Sequence, residues 1–133
     1  MLTIIPPQRQ SDSWAASSGF QAPRGDHKHK GIDLACWPGS LILSTVSGEV
    51  TKLGYPYGDD LSFRYVEVTD YSNKRHRFFY VEPLVEYDDI VIFNEVIGES
   101  QDLRPRYPDI IPHLHYEILN MDNGPIDPTE YID

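Results

Sequence analysis

The chain has 133 residues, enough for one domain with a real core, and 40% of them are hydrophobic, which excludes a disordered composition. A net charge of −10 argues against nucleic acid as a partner, since binding phosphate needs a concentrated Lys/Arg face. The longest apolar runs, such as Leu41 to Leu43 and Ile90 to Phe93, are too short to cross a bilayer, and the single Cys36 allows no internal disulfide.

From the start of the chain, Met1 to Ile5 has no positive flank and is interrupted by Pro6 and Pro7, so no secretory signal is expected. A role beyond a membrane would then require release by other means. Residues 1 to 28 carry few strand signals and are expected to wrap the outside as an arm of a single domain spanning residues 1 to 133. The 11 Pro and 9 Gly punctuate the chain about evenly, which favours short strands over long helices. Cys36, beside Ala35 and Trp37, reads as a small buried residue. Leu41 to Tyr55 predicts two strands around a turn at Ser47-Gly48. Phe63 to Thr69 sets Val66 and Val68 on one face and Tyr65 and Glu67 on the other, the alternation of a half-buried strand. After the turn-rich Asp70 to Lys74, Arg75 to Val81 predicts the second strand of a hairpin. Ile90 to Ile97 predicts one or two short strands, and Asp102 to Pro112, with three prolines, a loop. His113 to Leu119 alternates again. The expected fold class is all-β: one antiparallel domain with long loops and little helix.

The chemistry concentrates in Pro112-His113-Leu114-His115-Tyr116-Glu117-Ile118. In a strand His113, His115 and Glu117 share one face, while the apolar Leu114, Tyr116 and Ile118 mark the other as core. Two imidazoles held this way serve one metal site, or one binds metal while the other works on water, or both are plain exposed strand residues. A second cluster, Asp26-His27-Lys28-His29-Lys30-Gly31-Ile32-Asp33, sets His29 and Asp33 four apart, on one face whether the segment is helical or extended. Imidazole and carboxylate suit Zn²⁺, and three protein ligands leave a fourth position for water.

The ordered landmarks His29-Lys30-Gly31-Ile32-Asp33, Pro38-Gly39, Gly48-Glu49-Val50, Ile97-Gly98, His113-Leu114-His115-Tyr116-Glu117 and Asp127-Pro128 resemble those of the lysostaphin/LytM-type zinc peptidases. The resemblance implies a grooved antiparallel β fold, Zn²⁺ held by His29, Asp33 and His115, and His113 as a catalytic histidine. It further implies hydrolysis of peptide bonds in bacterial peptidoglycan, with peptidoglycan peptide as partner and no membrane insertion. Such a protein, without a signal, would act on the wall after release, as a phage lysin or on a virion.

One landmark departs from the family. Its pattern has a second catalytic His in a Tyr-x-His-Leu segment, and Phe79-Tyr80-Val81-Glu82-Pro83-Leu84 has none. This stretch, with Gln101-Asp102-Leu103 and Tyr107-Pro108, is similar to the animal leukocyte-derived chemotaxin branch, which keeps the zinc without peptidase activity. A zinc-containing binding domain that has lost hydrolysis is therefore the alternative, and a metal-stabilised structural module a third reading. Tyr80 is the candidate donor to a tetrahedral oxyanion, because a phenol donates without changing charge. It is otherwise one more strand aromatic. Glu82 and His76 are the other candidates for the missing function, but Glu82 beside Pro83 reads as a turn residue, and His76 among Lys74, Arg75 and Arg77 as a solvated hairpin residue. Glu117 either orients a ligand imidazole or pairs with an Arg. His27 shares parity with His29. Trp14, Phe20 and Trp37 line a groove or are buried, and Arg24 faces a substrate carboxylate or Asp26.

Overall fold

The computed structural model describes residues 23–24, 27–28 and 31–132. Most of the expected N-terminal arm, with Trp14 and Phe20, lies outside the described residues, as does His29. Two short strands within it, β1 (Pro23–Arg24) and β2 (His27–Lys28), pair with each other antiparallel.

Two antiparallel sheets follow. Residues of β3 (Gly31–Ala35), β5 (Gly48–Gly54), β6 (Tyr65–Asp70), β7 (Arg75–Phe79), β9 (Ile90–Val91), β11 (His113–Leu119) and β12 (Pro125–Ile126) build the larger. Its order is β12-β11-β7-β6-β5-β9, with β3 also paired to β11. The smaller sheet has the order β4-β10-β8, from β4 (Leu41–Leu43), β10 (Val96–Ser100) and β8 (Val81–Pro83). The described part is all-β and antiparallel, as the alternation predicts. Its helical content is one 3₁₀ turn, Pro128–Tyr131, capped by Asp127, whose carboxylate accepts from the Thr129 N–H at 2.9 Å.

Period-two alternation decides which side chains meet. Ile32 and Leu34 of β3, Phe78 of β7, and Leu114, Tyr116 and Ile118 of β11 are all at most 1% exposed, and they pack with Ile42 and Ile97 of the smaller sheet. Burying each such side chain stabilises the fold by about 1.5–3 kcal/mol. The opposite face of the larger sheet is also partly closed. Tyr65 stacks against Phe79 with ring centroids 4.6 Å apart, and Glu67 accepts from Arg77 Nε at 2.7 Å, so neither Tyr65 nor Glu67 faces open water.

Three expectations change in the structure. The strands within Leu41 to Tyr55 form as predicted but join different sheets, because β4 pairs with β10 and not with β5. The strand from Arg75 stops at Phe79: Tyr80 has φ +69°, and the chain resumes as β8, so Glu82 sits exposed in a strand paired with Glu99 instead of in a turn. His76 is not solvated. It is fully buried, its Nε2 2.9 Å from Asp70 Oδ2 and its Nδ1 2.8 Å from the Tyr116 hydroxyl. Hairpin registry places His76 on the core side of β7 with Phe78, and charged neighbours in sequence say nothing about that parity.

Candidate metal centre and catalytic cavity

β11 runs beside β3 with His115 directly opposite Asp33 and His113 opposite Ala35. Directly opposed residues project to the same face, so Asp33 and His115 meet on the side away from the core. The close strand approach depends on Gly31: a Cβ there would lie 2.2 Å from the Tyr116 carbonyl oxygen. On the other flank of β11, Phe79 of β7 stands opposite His115, with its ring tilted 71° to the imidazole at 5.3 Å.

The polar groups form a tight cluster. His115 Nδ1 is 3.0 Å from Asp33 Oδ1, and His113 Nε2 is 3.8 Å from the same oxygen. His115 Nε2 lies 2.9 Å from Glu117 Oε1. Glu117 in turn faces Arg77 Nη1 at 3.8 Å, and Arg77 donates to Glu67, which also accepts from Thr51 at 2.8 Å. Burial works against a charge on His115, but its hydrogen bonds to Asp33 and Glu117 override that and raise its pKa to about 9. The cluster is a place built for positive charge.

Asp33, His113, His115 and Glu117 line a cavity of about 510 Å³ together with Tyr80 and Tyr107. That volume suits a short peptide segment. Asp33, His113 and His115 are thus brought together, and Tyr80 joins them, its ring perpendicular to that of His113 at 5.6 Å. His29 is outside the described residues, as are the side chains of His27 and Arg24. Trp37 neither lines the cavity nor is buried; it is 77% exposed. Cys36 is buried, which pushes its thiol pKa up to about 11.

Among the described residues no three His, Cys, Asp or Glu side chains form a complete metal site. The two expected ligands that are described nevertheless fit one. Donor atoms on a shared tetrahedral zinc at ~2.0–2.1 Å stand about 3.3 Å apart, and His115 Nδ1 and Asp33 Oδ1 stand 3.0 Å apart. Glu117 engages the other ring nitrogen, the arrangement that fixes a ligand imidazole.

Sequence reasoning gave Tyr107 only as a landmark of the resemblance, with no role, and missed Tyr57 and Arg106. Tyr57 Oη lies 2.9 Å from Tyr80 Oη and 2.7 Å from Tyr107 Oη, and the Arg106 guanidinium covers the Tyr57 ring at 3.8 Å. The available signal was the aromatic turn Tyr55-Pro56-Tyr57-Gly58, unusual in a chain otherwise punctuated by polar turns.

A strand-paired acid and imidazole, a second imidazole one strand repeat away and a peptide-sized cavity share one face of an antiparallel β scaffold, and that scaffold is a peptidase fold. The chain belongs to Peptidase family M23, whose model matches residues 27–128. It is similar to leukocyte cell-derived chemotaxin-2 of Mus musculus, at 27% identity over 93% of this chain and 78% of that relative. Its fold is shared with a zinc-containing peptidase from Vibrio cholerae (TM-score 0.71, 24% identity, 96% of this chain). It is also shared with the catalytic domain of the antimicrobial peptidase lysostaphin from Staphylococcus simulans (TM-score 0.69, 20% identity, 85% of this chain and 87% of that one). The chain spans only 38% of the Vibrio cholerae structure.

Proposed function

We propose that the protein is a zinc-dependent endopeptidase that hydrolyses peptide bonds of bacterial peptidoglycan. The observation that carries this reading is the registry of Asp33 against His115 on the cavity wall, with His113 on the same face. Membership of the peptidase family and the fold shared with lysostaphin's catalytic domain support it.

In this reading His29, Asp33 and His115 hold the zinc, which supplies Lewis acidity at a scissile carbonyl. The remaining work belongs to the protein's own groups. His113 Nδ1–H donates to the Ile111 carbonyl at 2.8 Å, which fixes the ring and leaves Nε2, toward Asp33, as the nitrogen that takes a proton from water and returns it to the leaving amine. Glu117 accepts from His115 Nε2–H and so keeps the lone pair on Nδ1, beside Asp33. Burial raises the Tyr80 pKa, so its phenol stays protonated and donates to the carbonyl oxygen as charge develops there.

Among the described residues no helix is long and apolar enough to cross a membrane. We read the whole chain as one peptidase-like domain that reaches the wall after release, as a lysin or mounted on a virion. A second reading, a zinc-containing binding domain without hydrolysis, is favoured by one observation: the Phe79–Leu84 stretch holds no histidine, and the chain is similar to chemotaxin-2.

Digestion of purified muropeptides, with and without chelator, followed by mass analysis, separates the two. Chelator-sensitive cleavage supports the peptidase. One bound zinc per chain with muropeptides left intact supports the binding domain.

A further inference from the structure

We infer that Tyr57, Tyr107 and Arg106 form a one-way hydrogen-bond chain that turns the Tyr80 hydroxyl proton into the cavity, which makes Tyr57 a positioning residue. The inference rests on the reading of Tyr80 as donor to the developing oxyanion.

Each phenol has one proton to donate and lone pairs to accept with, so Tyr57 either accepts from both neighbours or relays, accepting from one and donating to the other. A relay runs from Tyr107 through Tyr57 to Tyr80, or the reverse. Arg106 selects between them. Its Nε donates to the Tyr107 hydroxyl oxygen over 3.4 Å, and a guanidinium has no lone pair to accept a proton back. With one Tyr107 lone pair taken by Arg106, the inferred relay has Tyr107 give its proton to Tyr57 at 2.7 Å and Tyr57 give its own to Tyr80 at 2.9 Å. With its oxygen already accepting, Tyr80 points its proton at the cavity it lines, beside the His113 ring. Hydrogen bonds in series polarise one another, so the terminal hydroxyl becomes the better donor.

The parts that hold this chain are independent of any metal. Arg106 is anchored 3.5 Å from Asp59 and 3.8 Å from Asp60, and its plane rests 3.8 Å over the Tyr57 ring. Phe63 meets both Tyr57 and Tyr80 edge-on. Tyr80 itself is clamped by its backbone: its N–H donates to the Arg64 carbonyl at 2.8 Å, and its carbonyl accepts from the Gln101 N–H at 2.8 Å. A tyrosine at φ +69° persists only where the surroundings over-determine it, and such positions concentrate at working sites. Burial first, and then the bonds to Tyr107 and Tyr80, raise the pKa of Tyr57, so the middle hydroxyl keeps its proton.

Tyr57→Phe removes the middle hydroxyl and keeps the ring under Arg106. The expected result is a kcat on muropeptides lowered ~3–10-fold, the worth of one hydrogen bond, with KM and zinc content unchanged. Added to Tyr80→Phe, the same change should lower kcat no further. A wild-type kcat in Tyr57→Phe, or a full additional loss in the double variant, would overturn the proposal. A purely structural role would instead appear in the unfolding midpoint and zinc content. Neutron diffraction from the deuterium-exchanged wild type supplies a second measurement that needs no turnover. The Tyr57 deuteron should lie on the line to Tyr80 Oη and the Tyr80 deuteron in the cavity; deuterons running from Tyr80 toward Tyr107 would sink the chain's direction. If the wild type cleaves no muropeptide, the peptidase reading fails by itself and the neutron map still decides the inference.

Discussion

Asp33, His113 and His115 differ in what each should lose on truncation. Asp33→Ala and His115→Ala each remove a proposed ligand, so both purified variants should lose stoichiometric zinc in elemental assay. Metal retained by both would refute the assignment. His113→Ala removes the proposed proton acceptor, held by the Ile111 carbonyl, so it should keep the metal and lower turnover by ~10²–10⁴-fold, the usual worth of a positioned acid–base group. Loss of zinc from this variant would mean the two histidines have exchanged roles. Strand parity made the pairing of His113 with His115 legible, whereas bringing Asp33 to them rested on the family resemblance, since 82 residues separate Asp33 from His115. The grouping of Tyr57, Tyr107 and Arg106 was not legible, since their contacts join the turn at 55–60 to the loop after Leu103, and no period links the two. An Arg partner for Glu117 was among the expectations, but that Arg77 would bridge it to Glu67 was hidden for the same reason: three strands must pair before those charges meet.

At the scale of the element, alternation predicted β11 to the residue and β6 nearly so, because one face of each is filled with apolar side chains. Pairing partners were less legible. Nothing local to Leu41–Leu43 says that it will join β10 across more than fifty residues, and nothing in Arg75–Val81 announces a left-handed residue at Tyr80. That break has a use: it ends β7 after Phe79 has met His115 and lets Tyr80 face the cavity. The β3–β11 approach yields its own prediction. Gly31→Ala forces a methyl against the Tyr116 carbonyl, where only backbone can yield. It should destabilise the domain by about 1–3 kcal/mol, as overpacking does elsewhere, and should weaken zinc retention by moving Asp33 away from His115. An unfolding midpoint equal to that of the wild type would show that β3 relaxes without cost.

For the molecule as a whole, the buried His76 network ties stability to pH. Thr45, Tyr116, His76 and Asp70 are linked in series, with Tyr131 edge-on to the imidazole and Lys74 nearby. Burial lowers the His76 pKa from 6.5 despite its bond to Asp70. The unfolded chain therefore takes up this proton before the native one does. The contribution is complete above pH 6.5 and is lost as pH falls below it. Asp70 acts in the same sense lower down: burial opposes its charge, but hydrogen bonds from His76 and from the Lys74 and Ser72 N–H groups hold its pKa under 3.8. Urea midpoints should fall between about pH 7 and about pH 5, the range in which His changes charge. The fall should be shallower in His76→Gln. Parallel curves for the two proteins would assign the acid sensitivity elsewhere.

β11 presents interior and cavity on alternate residues, and it is flanked by partners along both edges. A deletion or insertion of one residue within it would turn Leu114, Tyr116 and Ile118 outward and carry the imidazoles into the hydrocarbon interior. Its length is therefore frozen, whereas the neighbouring 101–112 loop, held by contacts such as Tyr107 to Tyr57 and not by a ladder, bears no such parity constraint. Relatives with new bond preferences should differ in that loop and in single letters of the strand, never in the strand's residue count.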